Sequence, residues 1–198
     1  EWVIDGEKAF ITNSGTPITS LVTITALTGP CEISTIIVPA GTPGFEVQPA
    51  YRKMGWHASD THGLRFSDCR VPEANLLGAR GRGFAQFLHI LDEGRVAIGA
   101  LAVGVIQGCL DHCLRYANER VALEIILLDE PISAARALVY EAAALIDQGR
   151  PFKKEAAVAK LYATEAAVTA TREATQIFGG YGFMDETPVS RFYRDAKI

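Results

Sequence analysis

From Trp2 to about Pro72 the hydrophobic positions fall in short runs rich in Val, Ile, Thr and aromatics. Glu7 to Thr12, Leu21 to Leu27, Ser34 to Ala40, Phe45 to Tyr51 and Leu64 to Val71 read as strands. Asp5-Gly6, Asn13-Ser14-Gly15, Thr28-Gly29-Pro30 and Gly41-Thr42-Pro43-Gly44 read as reversals between them. Gly and Asn tolerate positive φ there, and Pro fixes φ. Leu21 to Leu27 does not alternate cleanly, so its inward face is left open. Short strands without intervening helices predict an antiparallel barrel or sandwich. From about Gly81 the period becomes helical. Phe84, Phe87, Leu88 and Leu91 keep three- and four-residue spacing, Gly94 marks an expected break, and a second helix runs from Arg95 to about Arg120. Pro131 and Pro151 fit first-turn positions, Gly149 fits a stop between helices, and Pro188 opens the last helix. Ala156, Ala159, Ala163, Ala166 and Ala170 form a ridge of small side chains that lets a neighbouring helix approach closely. The pattern predicts an α+β chain: a small β domain over residues 1–75, then an up-and-down helical bundle over 80–198, with the boundary near 73–82.

Composition narrows the function classes. The chain has 198 residues, 48% hydrophobic and 21% charged, enough apolar side chain for a sizeable core. A net charge of −4 argues against a nucleic acid held on a basic surface. The longest apolar run, Val96 to Ile106, contains two glycines and falls well short of the ~20 residues of a bilayer span, so no membrane partner is expected. Cys31, Cys69, Cys109 and Cys113 form no CxxC pair. Cys109 and Cys113, four apart on a helical pattern, read as packing thiols rather than a redox pair, in a reducing interior. His57, His62, His89 and His112 lack metal-ligand spacing, and His57 and His62 read as exposed loop histidines. There is no serine elbow. Gly81-Arg82-Gly83 reads as a helix-entry turn rather than a phosphate loop. The chain opens without Met, and Arg194-Asp195-Ala196-Lys197-Ile198 stops inside a helical pattern, so a piece of a larger protein is expected. No targeting segment is visible.

Three clusters carry candidate chemistry. Phe10 and Thr12 stand two apart at a strand end and so share a face, offering a flat apolar surface beside a hydroxyl. That pair suits one side of a planar heteroaromatic, but on these residues alone a core Phe beside a turn Thr is the favoured reading. Gln176-Ile177-Phe178-Gly179-Gly180-Tyr181-Gly182 puts three glycines within four residues at the end of the alanine-ridge helix. A C-cap explains one of them, and close backbone approach to an anion or sugar would explain more. Asp92-Glu93-Gly94-Arg95 sets a cation among acids where an apolar helix begins, which alone is a weak signal.

Taken in order, these pieces resemble the acyl-CoA dehydrogenase family, from its middle β domain through most of its C-terminal helical domain. The resemblance is carried by Gly6-Glu7-Lys8-Ala9-Phe10-Ile11-Thr12-Asn13, by Lys53-Met54-Gly55 with Ser59-Asp60-Thr61, and by Val71-Pro72-Glu73-Ala74-Asn75-Leu76-Leu77-Gly78. Further on it is carried by Gly83-Phe84, Tyr116-Ala117-Asn118-Glu119-Arg120, Gln176 to Gly182, Arg191 and Arg194 to Ile198. It implies an FAD enzyme that introduces a Cα–Cβ double bond into an acyl-CoA thioester. A carboxylate takes the α proton while the β hydrogen leaves as hydride to flavin N5. The thioester carbonyl needs preorganised donors to make the α proton acidic, and exclusion of water strengthens them. It further implies an electron-transfer flavoprotein as acceptor, a homo-oligomer arranged as a dimer of dimers, and a cytoplasmic bacterial setting, or the mitochondrial matrix in a eukaryote.

By the same resemblance Phe10 takes the place of the aromatic packed on the isoalloxazine, commonly Trp in the family. Thr12 takes that of the hydroxyl near N5, with Ile11 between them. Arg120 matches the arginine serving the FAD pyrophosphate, and Gln176, Ile177, Phe178, Gly179 and Gly180 match the stretch that touches FAD across a subunit boundary. Asp92, Glu93, Gly94 and Arg95 match the segment lining the CoA and acyl channel. Three departures stand out. The usual catalytic glutamate falls beyond Ile198, and the alternative position for the base is Gly94, which has no carboxylate. After Arg120, Val121-Ala122-Leu123-Glu124 leads into Ala134-Ala135-Arg136 about three helical turns early. The N-terminal helical domain is absent from the chain, so it is not expected to complete a turnover by itself. A non-catalytic acyl-CoA- or FAD-binding homologue and an acyl-CoA oxidase are the alternatives. A glutamate after Ile198 would separate out the first, and oxygen consumption without another acceptor would mark the second.

Overall fold

The computed structural model describes residues 1–120 and 129–197, the side chains of residues 119, 120 and 129 excepted. Its contacts divide the chain into two compact units, Glu1–His89 and Ile90–Ile198. The first contains strands β1 (Trp2–Thr12), β2 (Leu21–Gly29), β3 (Glu32–Pro39), β4 (Phe45–Ala50), β5 (Thr61–Val71) and the short β6 (Leu76–Leu77). They make two three-stranded antiparallel sheets in the orders β1-β5-β4 and β2-β3-β6. Ile4, Leu64, Phe66, Cys69 and Val71 from one sheet share a core with Val22, Ile24, Ile36 and Val38 from the other. This is a sandwich, whose two inner faces remove each other from water.

Two strand expectations are corrected. Val22 and Ile24 are both buried, so β2 does alternate, with its even-numbered aliphatics inward. Asp5-Gly6 is not a reversal: β1 runs through it, and Gly6 has φ +140°, where the ladder shifts between Ile4↔Cys69 and Gly6↔Phe66. The glycine serves an irregularity within the strand, because that backbone conformation is open to little else.

Arg80 anchors the linker that leaves the sandwich. It donates to Glu32 Oε1 at 2.5 Å and to the Thr28 carbonyl at 2.6 Å, and lies over the Trp2 ring at 5.6 Å. A Cβ on Gly83 would lie 2.5 Å from the Ser34 carbonyl carbon. Gly81-Arg82-Gly83 is therefore a helix entry seated against β3.

The helical elements are α1 (Gly83–Arg120), α2 (Asp129–Asp147), α3 (Lys153–Phe178) and α4 (Pro188–Asp195). The expected break at Gly94 does not occur, and α1 is one helix of 38 residues. A single interior glycine costs only about 1 kcal/mol relative to Ala, too little to outweigh an apolar face running along both sides of it. By length and composition α1 could cross a membrane, with mean hydropathy 1.6 in its most apolar window. Its Val96, Ala102, Ile106, Cys109 and Cys113 instead enter the core shared with α2, α3 and α4, as a core helix does. Within α3 the buried small residues are Ala156, Ala159, Ala163, Ala167, Ala170 and Ala174. Ala167 thus replaces the expected Ala166, which packs only partly against the core. Pro131 lies in the first turn of α2, Pro188 opens α4, and Gly149 has φ +64° just after α2. Pro151 falls two residues before α3 rather than in its first turn, with Phe152 as N-cap.

Nothing lies within 4 Å of a Cβ built on Gly94. Gly94→Ala in the full-length protein is therefore expected to raise stability by about 0.5–1 kcal/mol, read as a higher urea midpoint. A lower midpoint would contradict an uninterrupted α1.

Candidate functional site

In the first unit the tip of β1 is shaped by a second irregularity. Lys8 pairs with Leu64 but Ile11 pairs with His62, so β1 carries one residue more than its partner. Before the bulge the inward residue is the even-numbered Ile4; after it Ile11 packs against the core. An even-numbered Phe10 in an unbroken strand would point into the sandwich. The bulge turns it out instead: Phe10 is 73% exposed with φ +59°, and Thr12 is exposed as well. A bulky residue in the left-handed region is strained, and such strain clusters where a site needs a side chain re-aimed. Of the two sequence readings for Phe10, the core position is excluded. Its ring lies against that of Tyr51, with centroids 5.1 Å apart.

The turn beyond the tip is tied to the start of β5. The Asn13 amide donates to the Asp60 carbonyl at 2.9 Å, and the Gly15 amide donates to Asp60 Oδ2 at 2.8 Å. Asp60 Oδ1 lies 2.6 Å from His62 Nε2, and His62 Nδ1 lies 2.6 Å from the Gln48 carbonyl. Lys53 Nζ donates to Thr61 Oγ1 at 2.8 Å and to the Ser59 carbonyl. The Gly15 amide, then His62 and Lys53, hold the Asp60 carboxyl below its usual range. His62 is raised above the ordinary 6.5, first by the Gln48 carbonyl, against an opposing effect of burial, with Asp60 adding to the rise. Reading both histidines as exposed loop residues holds for His57 only; His62 lies within β5 with its side chain 12% exposed. A histidine between two short-range acceptors leaves no mark in one-dimensional spacing.

In the second unit the glycine cluster follows α3. Phe178 stacks on Tyr116 with centroids 4.1 Å apart and planes 14° from parallel, and the Tyr116 hydroxyl donates to the Phe178 carbonyl at 3.3 Å. These rings, with Ile177, Gly179, Gly180, Tyr181 and Met184, line an open groove of about 600 Å³. The fold accounts for two of the three glycines. Gly179 has φ +57° and caps the helix. A Cβ on Gly182 would lie 2.1 Å from the Thr175 carbonyl oxygen, so internal packing requires glycine there. Gly180 alone has neither constraint and faces open space. Gln176 opens on a different groove, with Arg172, Tyr193 and Arg194. Arg120 ends α1, and its side chain is outside the described residues, as is the shortened stretch that follows it.

Asp92, Glu93, Gly94 and Arg95 lie within α1 rather than at a helix start. Arg95 pairs with Asp92 one turn away, and Arg95 lines a cleft of about 700 Å³ with Lys153, Lys154 and Lys160. Among the described residues no group of His, Cys, Asp and Glu could hold a metal ion.

The middle-domain model of the acyl-CoA dehydrogenases matches residues 1–69, and their C-terminal-domain model matches residues 81–198. The chain belongs to the acyl-CoA dehydrogenase family. Acryloyl-CoA reductase (NADH) of Anaerotignum propionicum is 43% identical, aligned over all of this chain and 54% of its own length. Butyryl-CoA dehydrogenase of Megasphaera elsdenii is 38% identical with TM-score 0.93, matching 98% of this chain and 55% of that one. An acyl-CoA dehydrogenase of Bacillus anthracis solved with FAD is 28% identical with TM-score 0.91, over 99% and 39% of the two chains. The chain spans about half the length of the curated relatives it matches. The reductase alignment runs over 214 positions, longer than the chain, so that relative carries residues with no counterpart here.

Burial pushes the Cys109 thiol up to about 12 and Cys113 to about 11, and Cys69 is raised by burial and Asp5. Only thiolates react readily, so these three are expected to resist a thiol reagent in the native protein, while exposed Cys31 reacts. Cys31→Ser should remove the fast phase contributed by this region; its persistence would show that a buried thiol is accessible.

Proposed function

We propose that this chain supplies the sheet and bundle portions of an FAD-dependent enzyme that removes hydrogen across Cα–Cβ of an acyl-CoA thioester. The observation that carries the reading is Phe10: an outward aromatic on a strained bulge, with the Thr12 hydroxyl beside it. An exposed ring at a strand tip suits one face of an isoalloxazine, and the hydroxyl suits its polar edge. The open backbone at Gly180, beside the stacked Tyr116 and Phe178, suits the sugar or phosphate end of a dinucleotide. The fold and a relative solved with FAD support the same assignment.

When bound, FAD supplies the hydride acceptor. Phe10 would cover one side of it and exclude water, Ile11 anchors the strand beneath, and Thr12 would offer its hydroxyl to the polar edge. Gln176 and the backbone of Ile177 to Gly180 would hold the far portion of the FAD of a second copy, across a subunit boundary. Asp92 and Arg95 brace each other on α1, where they line the acyl-CoA channel. Gly94 has no side chain to take the α proton; the family resemblance implies a glutamate for that role, outside residues 1–198. A family partner accepts the electrons, namely an electron-transfer flavoprotein. A second copy of the protein covers apolar side chains such as Leu161 and Tyr140, consistent with a dimer of dimers. Relatives bear both dehydrogenase and reductase names, so the reading commits to the bond and leaves its direction to the assay.

The full-length protein is expected to purify yellow and to bleach anaerobically with one or more members of an acyl-CoA panel. Phe10→Ala leaves folding stability within about 1 kcal/mol, because the ring is exposed within its own unit, yet lowers flavin content several-fold. A colourless protein that cannot be reconstituted, or a variant with unchanged flavin content, would refute the assignment.

A further inference from the structure

Both nitrogens of His62 meet oxygens that only accept. The Gln48 carbonyl has no proton to give, and Asp60, held ionised by the Gly15 amide, has none either. A neutral imidazole carries one N–H and would set a lone pair against one of these oxygens at 2.6 Å. An imidazolium satisfies both. The ring also fills the space against the β1–β2 turn, where a Cβ on Gly15 would lie 2.2 Å from Nε2. Asp60 thus joins the ring to the turn, holding His62 with one oxygen and the Gly15 amide with the other. Its backbone carbonyl takes the Asn13 amide, next to Thr12.

We infer that His62 is a positioning residue, held as an imidazolium, whose charge locks the Phe10–Thr12 tip in its ligand-ready arrangement and whose deprotonation at higher pH releases it. The functional consequence rests on the reading that the tip holds FAD. The charged group facing the ring is Asp60. β4 contributes the Gln48 carbonyl, the β1–β2 turn contributes Gly15, and Lys53 stands beyond, acting on Asp60. The direction follows from linkage. Because the folded-state pKa lies above 6.5, the stabilisation is complete below that pH and is lost as pH rises through the folded value.

The test uses the full-length protein as purified, with His62→Gln and His62→Arg. Flavin release, followed by fluorescence, is expected to speed up with pH in the wild type by up to about tenfold per unit of raised pKa. It should be fast and pH-independent in His62→Gln, and slow and pH-independent in His62→Arg, whose charge is permanent. In parallel, hydrogen exchange of the Asn13 and Gly15 amides should show protection that falls with pH in the wild type and stays high in His62→Arg. If His62→Gln does not fold, the comparison with His62→Arg decides. A wild-type pH profile retained in His62→Arg, by either readout, overturns the proposal. Amide protection that behaves as stated in a protein that takes up no flavin upholds the clamp and refutes the FAD reading instead.

Discussion

The pairing of β1 with β5 is the constraint on which the first unit depends. Side chains alternate along a strand, so one added residue exchanges inside for outside in everything that follows. The extra residue between Lys8 and Ile11 makes that exchange three residues from the strand end. Upstream, Ile4 stays in the core; downstream, Ile11 takes over and Phe10 and Thr12 face out. The same partner strand begins with Thr61 and His62 opposite Thr12 and Ile11. The groups that order the turn are therefore delivered by the pairing that exposes the aromatic.

The second unit reaches an open surface by other means. Alanines at helical spacing allow the helices to approach, so α3 is fixed along its length by close contact. Its C-terminal end is then shaped by glycines, two of which serve the fold. Gly179 turns the chain and Gly182 admits the Thr175 carbonyl, and together they leave Gly180 presented without a side chain. Rigid packing on one side and bare backbone on the other is what a phosphate- or sugar-binding edge requires.

Much of this was legible in the sequence. The strands and helices follow from their periods, and the family follows from motifs in the right order. What failed has a common cause. Gly6 and Gly94 look like punctuation, yet each lies inside an element that outweighs a local preference: Gly6 in the paired ladder of β1, Gly94 in a long helix to which one glycine costs only about 1 kcal/mol. The exchange of Ala166 for Ala167 reflects drift of a 3.6-residue helix against an assumed repeat. The bulge at Phe10 was invisible because no glycine announces it. The role of His62 is not legible in the sequence because only the folding of β4 and of the β1–β2 turn brings the Gln48 carbonyl and Gly15 to a ring that already has Asp60 beside it.

The energetics of Phe10 point outward from the chain. Holding a non-glycine residue at φ +59° costs on the order of 1–2 kcal/mol, and leaving its ring in water forgoes most of what burial would return. Within its unit the ring has a tilted contact with Tyr51. Packing the ring against a planar ligand would recover roughly 2–3 kcal/mol from apolar area alone, enough to offset the strain. The strained geometry is thus least costly when the tip is covered. Pairing β1 to β5 without the bulge would turn Phe10 inward and Ile11 outward; the bulge keeps Ile11 in the core and the ring outside it.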